Sequence, residues 1–562
     1  PIFGINGQVN APSDLFADKV YLNTNPTNKV ENYGVSGQVD YEMGPLTFTS
    51  ITAYRKVKLL SNFDVDFTSA DLLSGANISR EELNTFTQEF RVNANFVDRI
   101  NVLLGAFYFN EKVGQDGDLV WGSKGRAFAD ALIRGSSGGA LNIATLEGGL
   151  GASAGTPAAY IGKFFAQGQG LAERDTMKDN NFSIFGQVDF KVTDRLTLTG
   201  GLNYTHDSKH YSINVNSFDV FSGLNLNAVQ FAGFRNQLLL AGGLKNAGVD
   251  PTNQAAVIAF ATTPATAPIY QQIVAFANAN QNNPAANPLA GLRALQFLPP
   301  ILGVPNAVED GKTSDGKLTY TARLAYAFSD RLNGYLSYAT GYKASSINLS
   351  RDSRPPIGLA SALTTAGIAL PNQDYGSRLA GPESSEVFEA GLKGNWHNIS
   401  ANLAVFYEDI KGFQSNIFTG TGFILANAGK ESVYGVEFEG TARPVKGLTL
   451  GLAMTFLHPK YNDFKNSAFG DASAIRPADI SAFAGTFSLD YDYPLANDDH
   501  IVFHGDFHHE SKVQVIEGLP GFFVKNSVTG VITNFQPGLD AAKPFTREVN
   551  ELNGSLTYAA LI

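Results

Sequence analysis

Short turns and long connections alternate along this chain. Seven pairs of strand-like segments are each joined by a very short turn and separated from the next pair by a longer stretch. The turns include Val97-Asp98-Arg99, Thr193-Asp194-Arg195 and Ser329-Asp330-Arg331, and the long connections include residues 114–180 and 208–316. A soluble β-sandwich has no reason to place all its short turns at one end. A β-barrel that crosses an outer membrane does, because its periplasmic turns are short and its external loops are long.

The strand-like segments are also unusually long. The alternation predicts about 15 strands, at residues 32–42, 46–55, 84–96, 100–111, 181–192, 196–207, 317–328, 332–343, 384–396, 399–411, 430–442, 448–457, 481–493, 500–510 and 549–560. A strand of about 11 residues, tilted by about 40°, climbs about 28 Å, which is close to the thickness of a bilayer core. The predicted fold class is therefore all-β, a large antiparallel transmembrane barrel.

Within each segment, apolar and polar residues alternate with period two, so each strand has one apolar and one polar face. In FSIFGQVDFKV (182–192), Phe182, Ile184 and Val188 share one face, and Gln187 and Asp189 share the other. In a barrel the apolar face contacts lipid and the polar face lines a hydrated lumen. The charged or titratable residues that we expect to line this lumen are Glu89, Arg91, Arg323, Glu389, Lys393, Glu437, Glu439, His504, Asp506 and His508.

Aromatic residues are concentrated near both ends of the apolar faces, which is typical of the two interfaces of a membrane barrel. At the short-turn ends they are Tyr41, Phe96, Phe190, Phe328, Trp396 and Tyr493, and at the long-loop ends Tyr54, Phe86, Phe107, Tyr204, Tyr407 and Phe456. The turns themselves repeat an Asp-Arg pair, and we expect the aspartates (Asp98, Asp194, Asp330) to accept hydrogen bonds from nearby backbone N–H groups.

Several functional classes are excluded or disfavoured. The chain has no cysteine, and therefore no disulfide framework or thiolate metal site, and its net charge of −11 disfavours nucleic acid as a partner. No apolar run is long enough for a transmembrane helix, and no catalytic or phosphate-binding motif is present, so neither an enzyme nor a cofactor is expected. Residues four apart on a strand lie about 13 Å apart, too far for His504 and His508 to share a metal ion. No metal site is predicted.

The long connections are candidate substrate-binding regions, taken as loops at about 112–180 and 208–316. Asp250-Pro251 predicts a helix that runs to about Ala261, with Asp250 as its N-cap, and a second helix is predicted over 268–278. Such helices could form a lid or docking surface, or they could simply cover the barrel mouth. The sequence leaves these alternatives open.

Five segments resemble the barrel of TonB-dependent outer-membrane receptors. They are PLTFTSITAYRKV (45–57), NFSIFGQVDFKVTDRLTLTGGLNYTHDSK (181–209), LSYATGYKASSINL (336–349), GPESSEVFEAGLKGNW (381–396) and NAGKESVYGVEFEG (427–440). The resemblance implies a 22-stranded barrel that is occluded by an N-terminal plug, and energy transmitted from the inner membrane by TonB. Its implied function is import of a scarce, bulky nutrient, most often an iron–siderophore complex.

The expected organisation is a loop at 1–31 that leads into a partial barrel at 32–562, with about 15 of the 22 strands present. Because the chain starts at Pro1 and its last residues still read as a strand, we expect it to be a fragment without the plug or the last strands. The expected partners are outer-membrane lipid, the TonB complex (through the plug) and a small-molecule substrate such as a ferric siderophore. The alternative function is a passive porin-type channel, which would have the same short turns and polar lumen.

Overall fold

The computed structural model describes residues 4–11, 19–297, 306–349, 357–365, 378–418, 423–465, 473, 475–496, 498–519, 522–525 and 532–560. One antiparallel sheet of 15 strands dominates this part of the chain. Its strands are β1 (Thr27–Met43), β2 (Leu46–Asn62), β3 (Leu73–Phe96), β4 (Ile100–Trp121), β5 (Gly170–Lys191), β6 (Leu196–Ser217), β7 (Asn306–Ser329), β8 (Leu332–Lys343), β11 (Glu383–Asn395), β12 (Ile399–Lys411), β15 (Lys430–Ala442), β16 (Leu448–Asp463), β17 (Phe483–Pro494), β18 (His500–Gln514) and β21 (Thr546–Ala559).

The remaining elements lie in the long connections at one end of this sheet, except for a 3-10 turn in the short β3–β4 connection at the other end. Three short hairpins pair β9 (Ser346–Ile347) with β10 (Leu379–Ala380), β13 (Gln414–Phe418) with β14 (Phe423–Asn427), and β19 (Val524–Lys525) with β20 (Ile532–Asn534). The helices are α1 (Gly125–Ser136), α2 (Ile143–Ser153), α3 (Ala232–Asn246), α4 (Gln254–Thr262), α5 (Ala267–Asn280), α6 (Ala360–Thr365) and α7 (Gln536–Ala542). Single 3-10 turns occur at Val97–Arg99, Val229–Phe231, Pro284–Ala286, Ala290–Leu295 and Ile357–Leu359.

The large sheet is a simple meander, in which each strand pairs with the strands before and after it in the sheet and all pairs are antiparallel. All 15 predicted strands are confirmed. In the described residues β1 and β21 form the two edges of the sheet, and no pairing joins them to each other. Short turns join the strands at one end, and the longer connections join them at the other.

The apolar face of the sheet has no packed core against it. Several large side chains on this face are more than half exposed, including Leu104 (56%), Ile184 (61%), Leu202 (58%), Leu336 (60%) and Phe388 (53%). A soluble sandwich would bury these side chains against a second sheet. The clusters of buried apolar residues instead lie at the long-connection end, in the helices and the adjoining ends of the strands. The arrangement fits a barrel wall whose apolar face is solvated by lipid.

Eleven of the twelve aromatic residues assigned to the apolar face are exposed there, and one assignment is wrong. Phe107 pairs with Glu89 across β3 and β4 and therefore shares the polar face. Its neighbour Tyr108, which is 41% exposed, occupies the apolar face. Two aromatic residues in succession made the alternation ambiguous at this point.

Five strands are much longer than predicted. Strands β3 to β7 have 22 to 24 residues each, whereas the neighbouring strands β2 and β8 have 17 and 12. The connections predicted at 112–180 and 208–316 therefore shrink to 122–169 and 218–305. The sequence pattern did not predict these extensions, because their outer faces carry polar residues and the alternation of apolar and polar residues is therefore weak. Polar outer faces are expected above the membrane. The loop predicted at 1–31 also ends earlier, because β1 begins at Thr27.

Local capping differs from expectation in two places. Helix α4 begins at Gln254 with Asn253 as N-cap, and the Asn253 side chain accepts from the N–H of Ala256. Asp250 instead accepts from the N–H of Thr252 in the preceding turn. In the turn before β6, the hydroxyl of Thr193 accepts from the N–H groups of Arg195 and Leu196, a role we had expected of Asp194. The helix predicted over 268–278 is confirmed as α5.

None of the helices in the described residues is long and apolar enough to cross a membrane.

Candidate functional site: the polar face and the helical cap

Glu89 and Arg91 form an ion pair on the polar face of β3. The two residues are two apart on one strand, and 2.5 Å separates Arg91 Nε from Glu89 Oε1. The register places Glu89 opposite Ile51 and Phe107, and Arg91 opposite Thr49 and Gly105. Both charges lie on the polar face and do not enter an apolar core.

A second charged group surrounds Tyr335, a residue that the sequence did not single out. The guanidinium carbon of Arg323 lies 4.5 Å from the centre of the Tyr335 ring, and Lys393 Nζ lies 5.7 Å from it. The Tyr335 hydroxyl donates to Glu389. The structure therefore brings together three of the predicted residues, Arg323, Glu389 and Lys393, around one aromatic ring, with cation–π contacts and a hydrogen bond. The alternation in β8 already placed Tyr335 on this face.

Glu437 and Glu439 lie on the same face of β15. Glu437 is level with Ala404 and Thr455, and Glu439 with Asn402 and Ala453. Glu439 borders a small polar recess of about 280 Å³ that Asn402 also lines. The neighbours across the sheet carry no charge, so neither carboxylate has a facing acid or base with which it could perform proton-transfer chemistry.

The histidines of β18 contact carboxylates on two strands. His504 Nδ1 lies 2.6 Å from Asp490 Oδ1 on β17, and its Nε2 lies 3.3 Å from Asp506 Oδ1. Ionised carboxylates only accept, so these two contacts favour an imidazole ring in which both nitrogens carry hydrogen. His508 contacts the Thr486 hydroxyl (2.8 Å) and Glu510 (3.3 Å).

No group of three histidine, aspartate or glutamate side chains within the described ranges could hold a metal ion. The sequence missed the cross-strand role of Asp490, although its position on the polar face of β17 was evident from the alternation.

Residues 122–169 and 218–297, here called the helical cap, form one packed unit. Two separate connections contribute to its core, because one buried cluster contains Ile133, Leu146 and Leu150 from the first and Phe221 and Phe231 from the second, all five fully buried. Phe164, Phe165, Phe221 and Trp121 also pack with ring centres about 5 to 6 Å apart. The cap is therefore a folded element rather than a loose covering.

Buried charges fix the polypeptide within the cap. Glu147, whose side chain is 2% exposed, accepts from both terminal nitrogens of Arg126 (2.7 and 3.0 Å) and from the N–H groups of Gly162 and Phe164 (both 2.9 Å). Burial alone would raise the pKa of Glu147, but these four hydrogen bonds outweigh it and lower the pKa. Arg235 similarly donates to the carbonyls of Leu226, Ala228 and Gln281.

Above the level of the neighbouring strands, the polar face of β4 to β6 becomes partly apolar. Val113, Leu171, Tyr211, Ile213 and Val215 form a buried cluster that Leu349 joins from the connection after β8. Asp175 lies on the same face and is only 2% exposed. Burial, reinforced by the nearby carboxylate of Glu173, raises the pKa of Asp175 to about 8, although Arg378 acts in the opposite direction.

Two amide side chains connect the segments at this end of the sheet. Gln414 donates to the carbonyls of Ala344 and Gly381 (2.9 and 2.8 Å), and Asn427 donates to those of Gly381 and Gly412 (3.0 and 2.6 Å). The connections after β8, β10 and β12 are thereby held together above the strands.

Comparison with known proteins agrees with this geometry. The family model for the β-barrel of TonB-dependent receptor-like proteins matches residues 3–507. The fold is similar to that of the ferric yersiniabactin uptake receptor FyuA from Yersinia pestis, at a TM-score of 0.53 and 12% identity over 94% of this chain and 54% of that one. It is also similar to the siderophore receptor PiuA from Acinetobacter baumannii, at a TM-score of 0.50 and 12% identity over 94% of this chain and 58% of that one. The chain thus spans little more than half the length of these structures.

Proposed function

The chain belongs to the TonB-dependent receptor β-barrel family of the bacterial outer membrane, and from this premise we propose that it forms the barrel wall of an active importer. The imported nutrient is scarce and bulky, a ferric siderophore, and TonB supplies the energy. The observation that carries this proposal is the family match over residues 3–507. The names of the two similar structures, a ferric yersiniabactin uptake receptor and a siderophore receptor, support the choice of substrate.

The proposal assigns the polar face to the lumen. Glu89, Arg91, Arg323, Glu389, Lys393, Glu437, Glu439, His504, Asp506 and His508 line it in this interpretation. Charged side chains on a transmembrane wall are tolerated where they face water or another protein segment. Most of these groups are already compensated, as in the Glu89–Arg91 pair and the contacts around Tyr335 and His504. Such a wall can contact a plug and still release it, because most of these charges already have partners within the wall.

The helical cap and the upper ends of β3 to β7 form the capture region in this proposal. They lie at the end of the sheet opposite the short turns, which faces the outside of the cell in an outer-membrane barrel. A packed cap can hold binding groups in fixed positions, which reduces the entropy lost on binding.

The alternative function, a passive porin-type channel, shares the short turns and the polar face. The family match favours the receptor over this alternative, because the matching model describes receptor barrels.

The experiment is uptake of radiolabelled ferric siderophores by iron-starved cells that carry the full-length gene. We expect uptake that stops when the proton gradient is dissipated or when TonB is deleted, while diffusion of a small sugar through the resident porins continues. Siderophore uptake that persists without the gradient would contradict energy coupling. Iron accumulation that is independent of the gene would contradict the substrate assignment.

A further inference from the structure

A polar pocket of about 380 Å³ lies where strand β8 separates from strand β7. The ladder between these strands ends at Thr321 and Ala339, although β7 continues up to Asn306. One position further along, the N–H of Tyr320 donates to the side-chain hydroxyl of Thr340 (2.9 Å). This bond takes the place of a backbone hydrogen bond of the ladder between the two strands. The end of β8 and the residues that follow it lean over the polar face of β5 to β7, and the pocket is the space between them.

Amide and hydroxyl groups make up most of the pocket wall. Asn203 Nδ2 donates to the Thr205 hydroxyl (3.0 Å), which is in turn 3.0 Å from the Ser183 hydroxyl. The Thr319 hydroxyl donates to the carbonyl of Asn203 (3.2 Å), and Asn181 donates to Asp207 (3.3 Å). These side chains are held in place by one another, so the pocket is preorganised before a ligand arrives.

Two lysines, Lys209 and Lys343, line the pocket, and the charge of Lys209 is compensated internally. Lys209 lies between two carboxylates, in contact with Asp207 and with its Nζ 3.3 Å from Asp179 Oδ2. All three side chains are largely buried, at 12%, 5% and 13% exposure. Asp315 lies close by and accepts from the N–H of Ser345 (3.2 Å). Lys343 lies exposed at the end of β8, whereas an anion placed beside Lys209 would meet three carboxylates with that lysine already engaged. The interior of the site therefore disfavours anionic ligands.

Three buried polar atoms in this region have no hydrogen-bond partner within the described ranges. The first is the Tyr342 hydroxyl, which borders the pocket. The other two are Asp179 Oδ1 and Thr313 Oγ1, which belong to the residues paired with Lys209 on strands β5 and β7. Buried polar atoms without partners are uncommon in folded proteins and call for a bound group or water. An apolar ligand would leave the Tyr342 hydroxyl, which lines the pocket, unsatisfied.

We propose that this pocket binds an uncharged, hydroxyl-rich group, such as a saccharide ring. Hydroxyl groups both donate and accept, which matches a wall of amides, hydroxyls and a compensated carboxylate. The volume is at the lower end of the range of about 300–1,000 Å³ for ligand pockets, enough for one such group. The inference rests on the proposed import function and specifies part of its substrate, either a free saccharide or a siderophore that carries one.

The test is saturation-transfer NMR on the full-length receptor in detergent micelles. The probes are a mixture of neutral hexoses, pentoses and their disaccharides, with glucuronate and glucosamine as charged comparisons. We expect at least one neutral saccharide to bind, and Asn203→Leu to weaken that binding about tenfold, as the loss of one good hydrogen-bonding group would. Thr319→Val, which removes one hydroxyl at nearly constant volume, should weaken it in the same direction without disturbing the fold.

Asn333→Leu is the matched control, because it makes the same substitution on the same face near the short turns and should leave binding unchanged. The pocket assignment is overturned if no neutral saccharide binds, if a charged probe binds better, or if both asparagine variants bind as the wild type does. Uptake of radiolabelled ferric siderophores, measured separately, distinguishes the two sources. Saccharide binding with gradient-dependent iron uptake supports a saccharide-bearing siderophore. Saccharide binding without iron uptake retains the pocket and refutes the siderophore.

Discussion

An arginine in place of Leu202 should destabilise the barrel, because Leu202 is on the apolar face near the middle of the membrane. The residue is 58% exposed and lies six residues beyond Leu196, where β6 begins. Six residues of a tilted strand correspond to a height of about 15 Å, close to the midplane of a bilayer core of about 30 Å.

The expected cost of Leu202→Arg is about 2–4 kcal/mol, the range for arginine or lysine on the lipid face at the midplane. This cost corresponds to a change of about thirty- to several-hundred-fold in the folding equilibrium. The control is Gln187→Arg. Gln187 pairs with Gly201, directly beside Leu202, but points to the polar face, where its Nε2 is 3.3 Å from Asp189. An arginine there meets water and a carboxylate, so we expect a change below about 0.5 kcal/mol.

The assay is reversible unfolding of the full-length receptor in urea in the presence of lipid vesicles, followed by tryptophan fluorescence and by the shift in gel mobility on heating. If the apolar face were exposed to water, an arginine at Leu202 would be tolerated like most surface substitutions. Equal stability of the two arginine variants would therefore refute the assignment of the faces.

Three further predictions concern the region above the membrane. Glu147→Ala should destabilise the cap by about 3 kcal/mol, because it leaves Arg126 and two buried N–H groups without their acceptor. The control is Arg134→Ala, which removes an exposed ion pair and should cost less than about 0.5 kcal/mol. Hydrogen exchange of the cap measures both variants, and equal exchange would contradict the role of Glu147. Phe221→Ala should cost about 3–5 kcal/mol and speed proteolysis of the cap, since Phe221 is fully buried; an unchanged cleavage rate would count against a packed cap. The pKa of Asp175 is raised from 3.8 to about 8, so its contribution to stability is complete below pH 3.8 and is lost as the pH rises through 8. Asp175→Asn cannot ionise and should show a weaker decline in melting temperature over this range. Identical pH profiles of the variant and the wild type would refute the raised pKa of Asp175.

The sheet was largely predictable because alternation is a local property of the sequence. All 15 strands were located from the period-two pattern, and their order follows from the short turns. The upper ends of β4 to β6 were missed although Ile213 and Val215 alternate with polar residues there. Above the membrane the outer face of a strand contacts water, so the contrast between the two faces weakens and the pattern becomes hard to separate from a loop.

The helical cap could not be predicted, because its core depends on contacts between distant parts of the chain. Leu146 and Phe221 are 75 positions apart in the sequence, yet they belong to one buried cluster. The group around Tyr335 was missed for a related reason. Its members come from three strands, and only the register of those strands places Arg323, Glu389 and Lys393 around one ring.

The orientation of the sheet in the outer membrane can be tested most directly by labelling. These 562 residues contain no cysteine, so a single cysteine introduced into them, in a receptor from which any cysteine elsewhere has been removed, gives an unambiguous signal. Asp194 is exposed in the turn between β5 and β6, and Gln272 is exposed on α5 of the helical cap. With a membrane-impermeant maleimide, Gln272→Cys should react on intact cells, and Asp194→Cys only after the outer membrane is permeabilised. Labelling of Asp194→Cys on intact cells, with Gln272→Cys protected, would contradict the outer-membrane orientation on which the proposed import function rests.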